Sequence, residues 1–143
     1  MKDKVLISEV GPRDGLQNCK GVMPTDIKKR WIQGLYDAGI REIEVGSFVP
    51  PRLFPQLADT AEIAAFAKTL PGLRVLALVP NLRGAQAAID IGVTSIGFPL
   101  SVSETHSIKT YGKHMTKRLK PSRRLQSSFR VSLLMFDLNL KVR

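Results

Sequence analysis

Arg13 and Asp14 stand side by side in Val-Leu-Ile-Ser-Glu-Val-Gly-Pro-Arg-Asp-Gly-Leu-Gln, residues 5–17. The planar guanidinium of Arg13, charged at every working pH, suits a clamp on an enolate or carboxylate oxygen. Asp14 offers hard carboxylate oxygens of the kind that Mg²⁺ or Mn²⁺ prefers. Further along, Glu44 intrudes among Ile43, Val45 and Phe48. Buried carboxylates are rare unless paired, so Glu44 is expected either to orient Arg13 or, where burial raises its pKa, to handle a proton. Gln17, Ser47, Asn81, Ser103 and Glu104 also fall at or just beyond apolar runs. An isolated Arg-Asp-Gly is more often a solvated turn with a surface ion pair, and Asn81 and Glu104 suit a loop cap or a helix-terminal charge as well as a site.

What favours chemistry is where these residues fall. Val5 to Val10 is an apolar, partly β-branched run that reads as a strand buried on both faces and must end at Gly11-Pro12, because proline cannot donate to a ladder. Pro24-Thr25-Asp26 starts a helix, with Thr25 as N-cap and Ile27, Trp31, Leu35 and Ala38 forming its buried stripe, up to Gly39. Trp31 is expected in the core. Strands are predicted at Arg41–Phe48, Arg74–Val79 and Ser95–Leu100, and helices at Ala61–Leu70 and Arg83–Ile91. Between the second strand and its helix lies a proline-rich loop, Val49 to Pro55, followed by Gln56 and Asp59.

This β-α-β-α-β-α-β order, with largely apolar strands, predicts a parallel sheet with right-handed crossovers. No glycine-rich phosphate fingerprint follows the first strand, which counts against a dinucleotide fold. Polar groups recur instead at the carboxyl end of every strand, the pattern by which barrels gather an active site on one rim.

The longer string Glu9-Val-Gly-Pro-Arg-Asp-Gly-Leu-Gln-Asn18 resembles the signature of the 3-hydroxy-3-methylglutaryl-CoA lyase family, metal-dependent TIM-barrel enzymes. The wider superfamily, which includes acyl-CoA/2-oxo acid condensing synthases, keeps only the Arg-Asp-Gly-x-Gln core. Gly11-Pro12 and Leu16 favour the lyase branch over such a synthase. The resemblance implies a retro-aldol cleavage of 3-hydroxy-3-methylglutaryl-CoA to acetyl-CoA and acetoacetate. It makes Asp14 a ligand of a divalent Mg²⁺ or Mn²⁺, Arg13 the catalytic cation that also binds substrate, and Glu44 a catalytic residue. Gln17, Ser47 and Asn81 become substrate-binding candidates, the partner an acyl-CoA, and the full-length relatives homo-oligomers. In that family a late His-x-His pair and an Asn complete the metal site, and a Cys sits in a later glycine-rich loop. Here the histidines are His106 and His114 alone. One carboxylate does not hold a catalytic metal, so weak metal binding and little or no turnover are expected.

A complete eight-fold barrel typically needs about 250 residues. With 143 residues, the expected fold is the N-terminal half of a TIM (β/α)8 barrel, residues 1–109, with about four parallel strands and a basic non-family tail at 110–143. The net charge of +10 is concentrated in that tail: residues 1–106 carry 12 Lys and Arg against 11 Asp and Glu, residues 107–143 carry 10 against Asp137 alone. The tail has few aromatics and no reader motif, which disfavours a nucleic-acid partner. A frameshift near Lys109 is the expected source of it, with a genuine solvated tail or basic arm as the alternative, because codons for Thr110 to Leu119 can be written so that a shifted frame reads Val-Arg-Lys-Thr-His-Asp-Glu-Ala-Leu. No apolar run approaches the ~20 residues of a membrane span and no signal-peptide core precedes the first strand. The single Cys19 fits a reducing compartment, so a cytoplasmic location without a membrane partner is expected. A half-barrel leaves edge strands unpaired, so marginal stability and aggregation are expected.

Overall fold

The chain is described here from a computed structural model covering residues 5–101, Thr105, Ile108 and Arg130–Phe136. Its strands are β1 (Ser8–Glu9), β2 (Glu42–Ser47), β3 (Arg74–Leu78), β4 (Ser95–Ser101) and β5 (Arg130–Phe136). They form one sheet in the order β1-β2-β3-β4-β5, every neighbouring pair parallel. Helices α1 (Thr25–Asp37), α2 (Thr60–Ala67) and α3 (Leu82–Ile91) are the crossovers of the first four strands. Sequential parallel order with a helix in each crossover is the barrel sense of winding.

The core lies between the sheet and its helices. Ile43 and Val45 of β2, Val75 and Ala77 of β3, and Ile96 and Phe98 of β4 meet Ile32 of α1, Ile63, Ala64 and Ala67 of α2, and Ala85 and Ala88 of α3. Alanine dominates the inward faces of α2 and α3, which brings both helix backbones close to the strands. Gly46 serves the same approach, since a Cβ there would collide with the side chain of Thr60. At Gly84 a Cβ would stand 2.8 Å from the Phe48 carbonyl oxygen. Gly92, at φ 79°, closes α3 in the left-handed conformation that glycine adopts without strain. On β3 the opposite face is only half-buried at Leu76 and Leu78 among the described residues.

Several expectations are corrected. The first strand is two residues long rather than six, and it is not covered on both faces: Val5 is 88% exposed and Ile7 64%. Among the described residues it pairs with β2 alone, with Ser8 and Glu9 in register. Thr25 does not cap α1. Pro24 occupies that position, and the Thr25 hydroxyl donates instead to Asp59 Oδ2 at 2.8 Å. The buried stripe of α1 is rotated by one residue to Lys28 and Ile32, leaving Ala38 exposed and Trp31 half-buried beside Gly11. Tertiary placement decided this, because an ion pair satisfies Lys28 inside. Part of the basic tail adds a strand, with β5 in parallel register from Ser95↔Arg130 to Ser101↔Phe136. Ser103, Glu104, His106 and His114 lie outside the described residues.

Candidate active site

Beyond β1 the chain makes a single wide turn of π-helix, Gly11–Gly15. The backbone N–H groups of Arg13 and Asp14 both donate to the carbonyl of Val10, at 3.1 and 2.7 Å. The Glu9 carboxylate accepts from the Gly11 N–H at 2.6 Å, and a Cβ on Gly11 would press against that carboxylate and Trp31. Pro12 is buried and lacks a donor that would need satisfying. The turn is therefore fixed from three sides.

From it the Arg13 side chain runs inward, 10% exposed, and bridges two carboxylates. Its Nη1 donates to Asp14 Oδ1 and its Nη2 to Glu44 Oε2, each at 2.7 Å. Glu44, in the middle of β2, is almost fully buried at 2% side-chain exposure, whereas Asp14 is 53% exposed. Burial pushes the Glu44 carboxyl above its ordinary pKa. The hydrogen bond and charge of Arg13 oppose that shift, and the negative charge of Asp14 adds to it. Arg13 Nε and Glu44 Oε1 are buried without a protein hydrogen-bond partner. Such atoms in a site otherwise held by short bonds mark where a further polar group would be accommodated.

The expected residues thus divide. Arg13, Asp14 and Glu44 come together from two elements. Gln17 is half-buried. Ser47 is buried, its hydroxyl donating to the Leu78 carbonyl at 3.3 Å and its N–H to Thr60 Oγ1 at 3.1 Å. Asn81 caps α3, its Oδ1 accepting from the Gly84 N–H at 2.9 Å. Ser47 and Asn81 line a separate cleft of about 470 Å³, between the proline-rich loop and the N-terminal turns of α2 and α3, to which neither Arg13 nor Glu44 contributes.

A second polar centre lies under the first. Lys28, 4% exposed at its side chain, donates to Asp59 Oδ1 and to the Gln56 carbonyl, both at 2.6 Å. Gln56 Nε2 donates in turn to the Cys19 carbonyl at 2.6 Å. This ties the loop carrying Arg13 and Asp14 to the short 3₁₀ turn Pro55–Leu57. The sequence held a signal for it: Lys28 and Ile32 stand at i and i+4, one step along from Ile27 and Trp31, and lead to the shared Leu35 at i+7.

Among the described residues no group of three His, Cys, Asp or Glu side chains is placed to hold a metal ion. Asp14 has the right chemistry and exposure for one ligand, but alone it does not make a catalytic site. No described helix is long and apolar enough to cross a membrane.

Comparison with known proteins gives this geometry a family. The HMGL-like family model matches residues 4–130. The cytoplasmic 3-hydroxy-3-methylglutaryl-CoA lyase of Rattus norvegicus is 48% identical over 109 residues, 76% of this chain and 32% of that protein. Among solved structures, the HMG-CoA lyase of Bacillus subtilis superposes with a TM-score of 0.84 at 34% identity, over 92% of this chain and 46% of that one. An HMG-CoA lyase from Acinetobacter baumannii, in complex with coenzyme A and 3-methylmalate, superposes with a TM-score of 0.82 at 30% identity, over 91% of this chain and 44% of that one. The chain therefore spans about a third of the length of that curated relative and less than half of the solved ones. Parallel strands in sequential order, a buried arginine bridging two carboxylates at the carboxyl end of the first, and a match over most of its length make this chain a member of the HMGL-like family.

Proposed function

We propose that residues 5–101 carry the first-half site of a carbon–carbon lyase that cleaves 3-hydroxy-3-methylglutaryl-CoA to acetyl-CoA and acetoacetate. The observation that carries this reading is the buried Arg13 bridge between Asp14 and Glu44. Cleavage beside a tertiary alcohol builds negative charge on the departing acyl oxygen, and a pre-oriented guanidinium in a water-poor site stabilises such charge strongly. Glu44 holds Arg13 from within and keeps it from swinging to solvent, while the half-exposed Asp14 holds the other nitrogen through Oδ1. Gln17 is the nearest candidate for a substrate contact by sequence position. Ser47 and Asn81 are better read as structural, because their polar atoms already serve β3 and α3.

A divalent metal belongs to this reading through Asp14 only. The described residues supply too few donors for it, so no step is assigned to it and the 143-residue chain alone is expected to be inactive. The test is a chimaera in which residues 1–101 replace the matching part of the Bacillus subtilis lyase. Release of acetoacetate from 3-hydroxy-3-methylglutaryl-CoA, lost on Arg13→Met, supports the reading. A folded chimaera that releases none, or one that instead condenses acetyl-CoA with a 2-oxo acid, sinks it.

A further inference from the structure

We propose that Gln56 is a positioning residue for the turn that carries Arg13 and Asp14, a role that rests on reading those two residues as the site. The turn is pinned on its N-terminal side by Glu9, Val10 and Trp31, and Leu16 is buried just after it. Beyond Leu16 the chain leaves the core: Asn18, Cys19, Lys20, Gly21 and Val22 are all exposed. Among the described residues, one hydrogen bond joins residues 17–22 to another part of the chain, from Gln56 Nε2 to the Cys19 carbonyl at 2.6 Å. The loop passes that restraint back to the site. The Cys19 N–H donates to the Leu16 carbonyl at 3.0 Å, and Asn18 Nδ2 donates to the Asp14 carbonyl at 2.8 Å.

Gln56 is itself held from below. Its own carbonyl accepts from the buried Lys28 Nζ, whose charge is paired with Asp59 Oδ1, and Asp59 Oδ2 accepts from the Thr25 hydroxyl. These bonds lock α1 to the 3₁₀ turn at Pro55–Leu57. A buried ion pair is a weak source of net stability, and fixing register is its best-attested use. Gln56 Oε1 is buried without a protein partner. Turning the amide over would set that oxygen against the Cys19 carbonyl, so the bond to the loop is made while Oε1 stays unmatched. What the side chain supplies is a fixed distance between the loop and the 3₁₀ turn. Arg13 needs one, because its two 2.7 Å bonds run to carboxylates on different elements, Asp14 on the turn and Glu44 on β2. A displacement of about 1 Å at a reacting group can lower a rate roughly a hundredfold.

The test is Gln56→Met, which removes both the donor to Cys19 and the unmatched Oε1 at similar volume. Loss and gain offset, so melting of the 143-residue chain should stay close to that of the wild type. Hydrogen exchange should accelerate about tenfold at the amides of Asp14 and Cys19 and stay unchanged in β3 and α3. Gln56→Glu, of the same shape but with an acceptor facing the Cys19 carbonyl, should give the same pattern. Gln86→Met, which removes a glutamine bond to Asp90 on α3, is the control and should leave both amides at their wild-type rates. In the chimaera described above, Gln56→Met should lower kcat roughly tenfold with KM for the acyl-CoA unaltered, the mark of misplaced groups and not of lost binding. Exchange that accelerates uniformly along the chain, or not at all at Asp14 and Cys19, would overturn the proposal. So would two Gln56 variants that both fail to fold, or an active chimaera whose kcat the substitution leaves unmoved. A chimaera already inactive with Gln56 in place counts against the proposed reaction alone, and the exchange pattern then decides whether Gln56 sets the turn.

Discussion

Replacing Arg13 by Met removes the cation but keeps most of the volume, and it leaves Glu44 buried with no partner for Oε2. Breaking a buried pair by removing one side ordinarily costs about 3–5 kcal/mol, because the orphaned charge stays inside. Glu44 has an alternative, which is to take up a proton, and its carboxyl already binds one more readily than usual. Protonation costs about 1.4 kcal/mol for each pH unit above the unfolded carboxylate value of about 4.3. The penalty is therefore capped near 3–4 kcal/mol at pH 7 and falls to roughly 1 kcal/mol at pH 5. The sign follows from the direction of the shift. Between the ordinary and the raised value the folded state holds the extra proton, so the stability that Glu44 contributes is complete below the ordinary value and is lost as pH rises through the raised one. Urea unfolding followed by circular dichroism between pH 5 and 8 reads the difference between wild type and Arg13→Met. A gap that widens with pH, and that disappears when Glu44→Gln is added, supports the scheme. A gap independent of pH would refute it.

Asn81→Ala should lower stability by about 1 kcal/mol through loss of the α3 cap, and in an active chimaera should change turnover little. Gly46→Ala should be among the more damaging single-methyl additions in the chain, because Thr60 is held by β2 and the 3₁₀ turn and has nowhere to go; about 1–3 kcal/mol is expected by thermal melting. Isothermal titration of the 143-residue chain with Mg²⁺ or Mn²⁺ should show no saturable site at micromolar concentration, and a tight one would contradict the single-carboxylate reading of Asp14. Sequencing the coding DNA past codon 109 should reveal an open shifted frame that runs on to a His-x-His pair; an interrupted shifted frame would make the basic tail genuine.

The element order and the meeting of Arg13, Asp14 and Glu44 were legible because buried parallel strands and an acidic residue among apolar ones leave local marks. The extent of β1 was not. Val5 to Val10 carries the pattern of a central strand, but its pairing with β2 starts only at Ser8, opposite Glu42 where β2 begins, which is a property of the sheet. The inner face of α1 was misread for a related reason: a lysine looks like surface until Asp59, from a distant loop, is brought to meet it. At Ser47 and Asn81 residue type alone does not separate a ligand contact from a bond to neighbouring backbone, and both residues make such a bond while lining the cleft beside the proline-rich loop.

The Val10 carbonyl receives two consecutive N–H groups, and from that turn the Arg13 side chain runs inward to Glu44 while Asp14, bonded to the same guanidinium, stays half in water. Their division of labour is thus encoded as a phase along the main chain and not in the side chains. Deleting or inserting one residue between Val10 and Arg13 would keep both letters of the motif intact while turning both side chains about the axis of the turn and carrying Arg13 away from Glu44. Homologues that vary in length at this point would then be expected to have lost the chemistry, however well the motif itself is spelled.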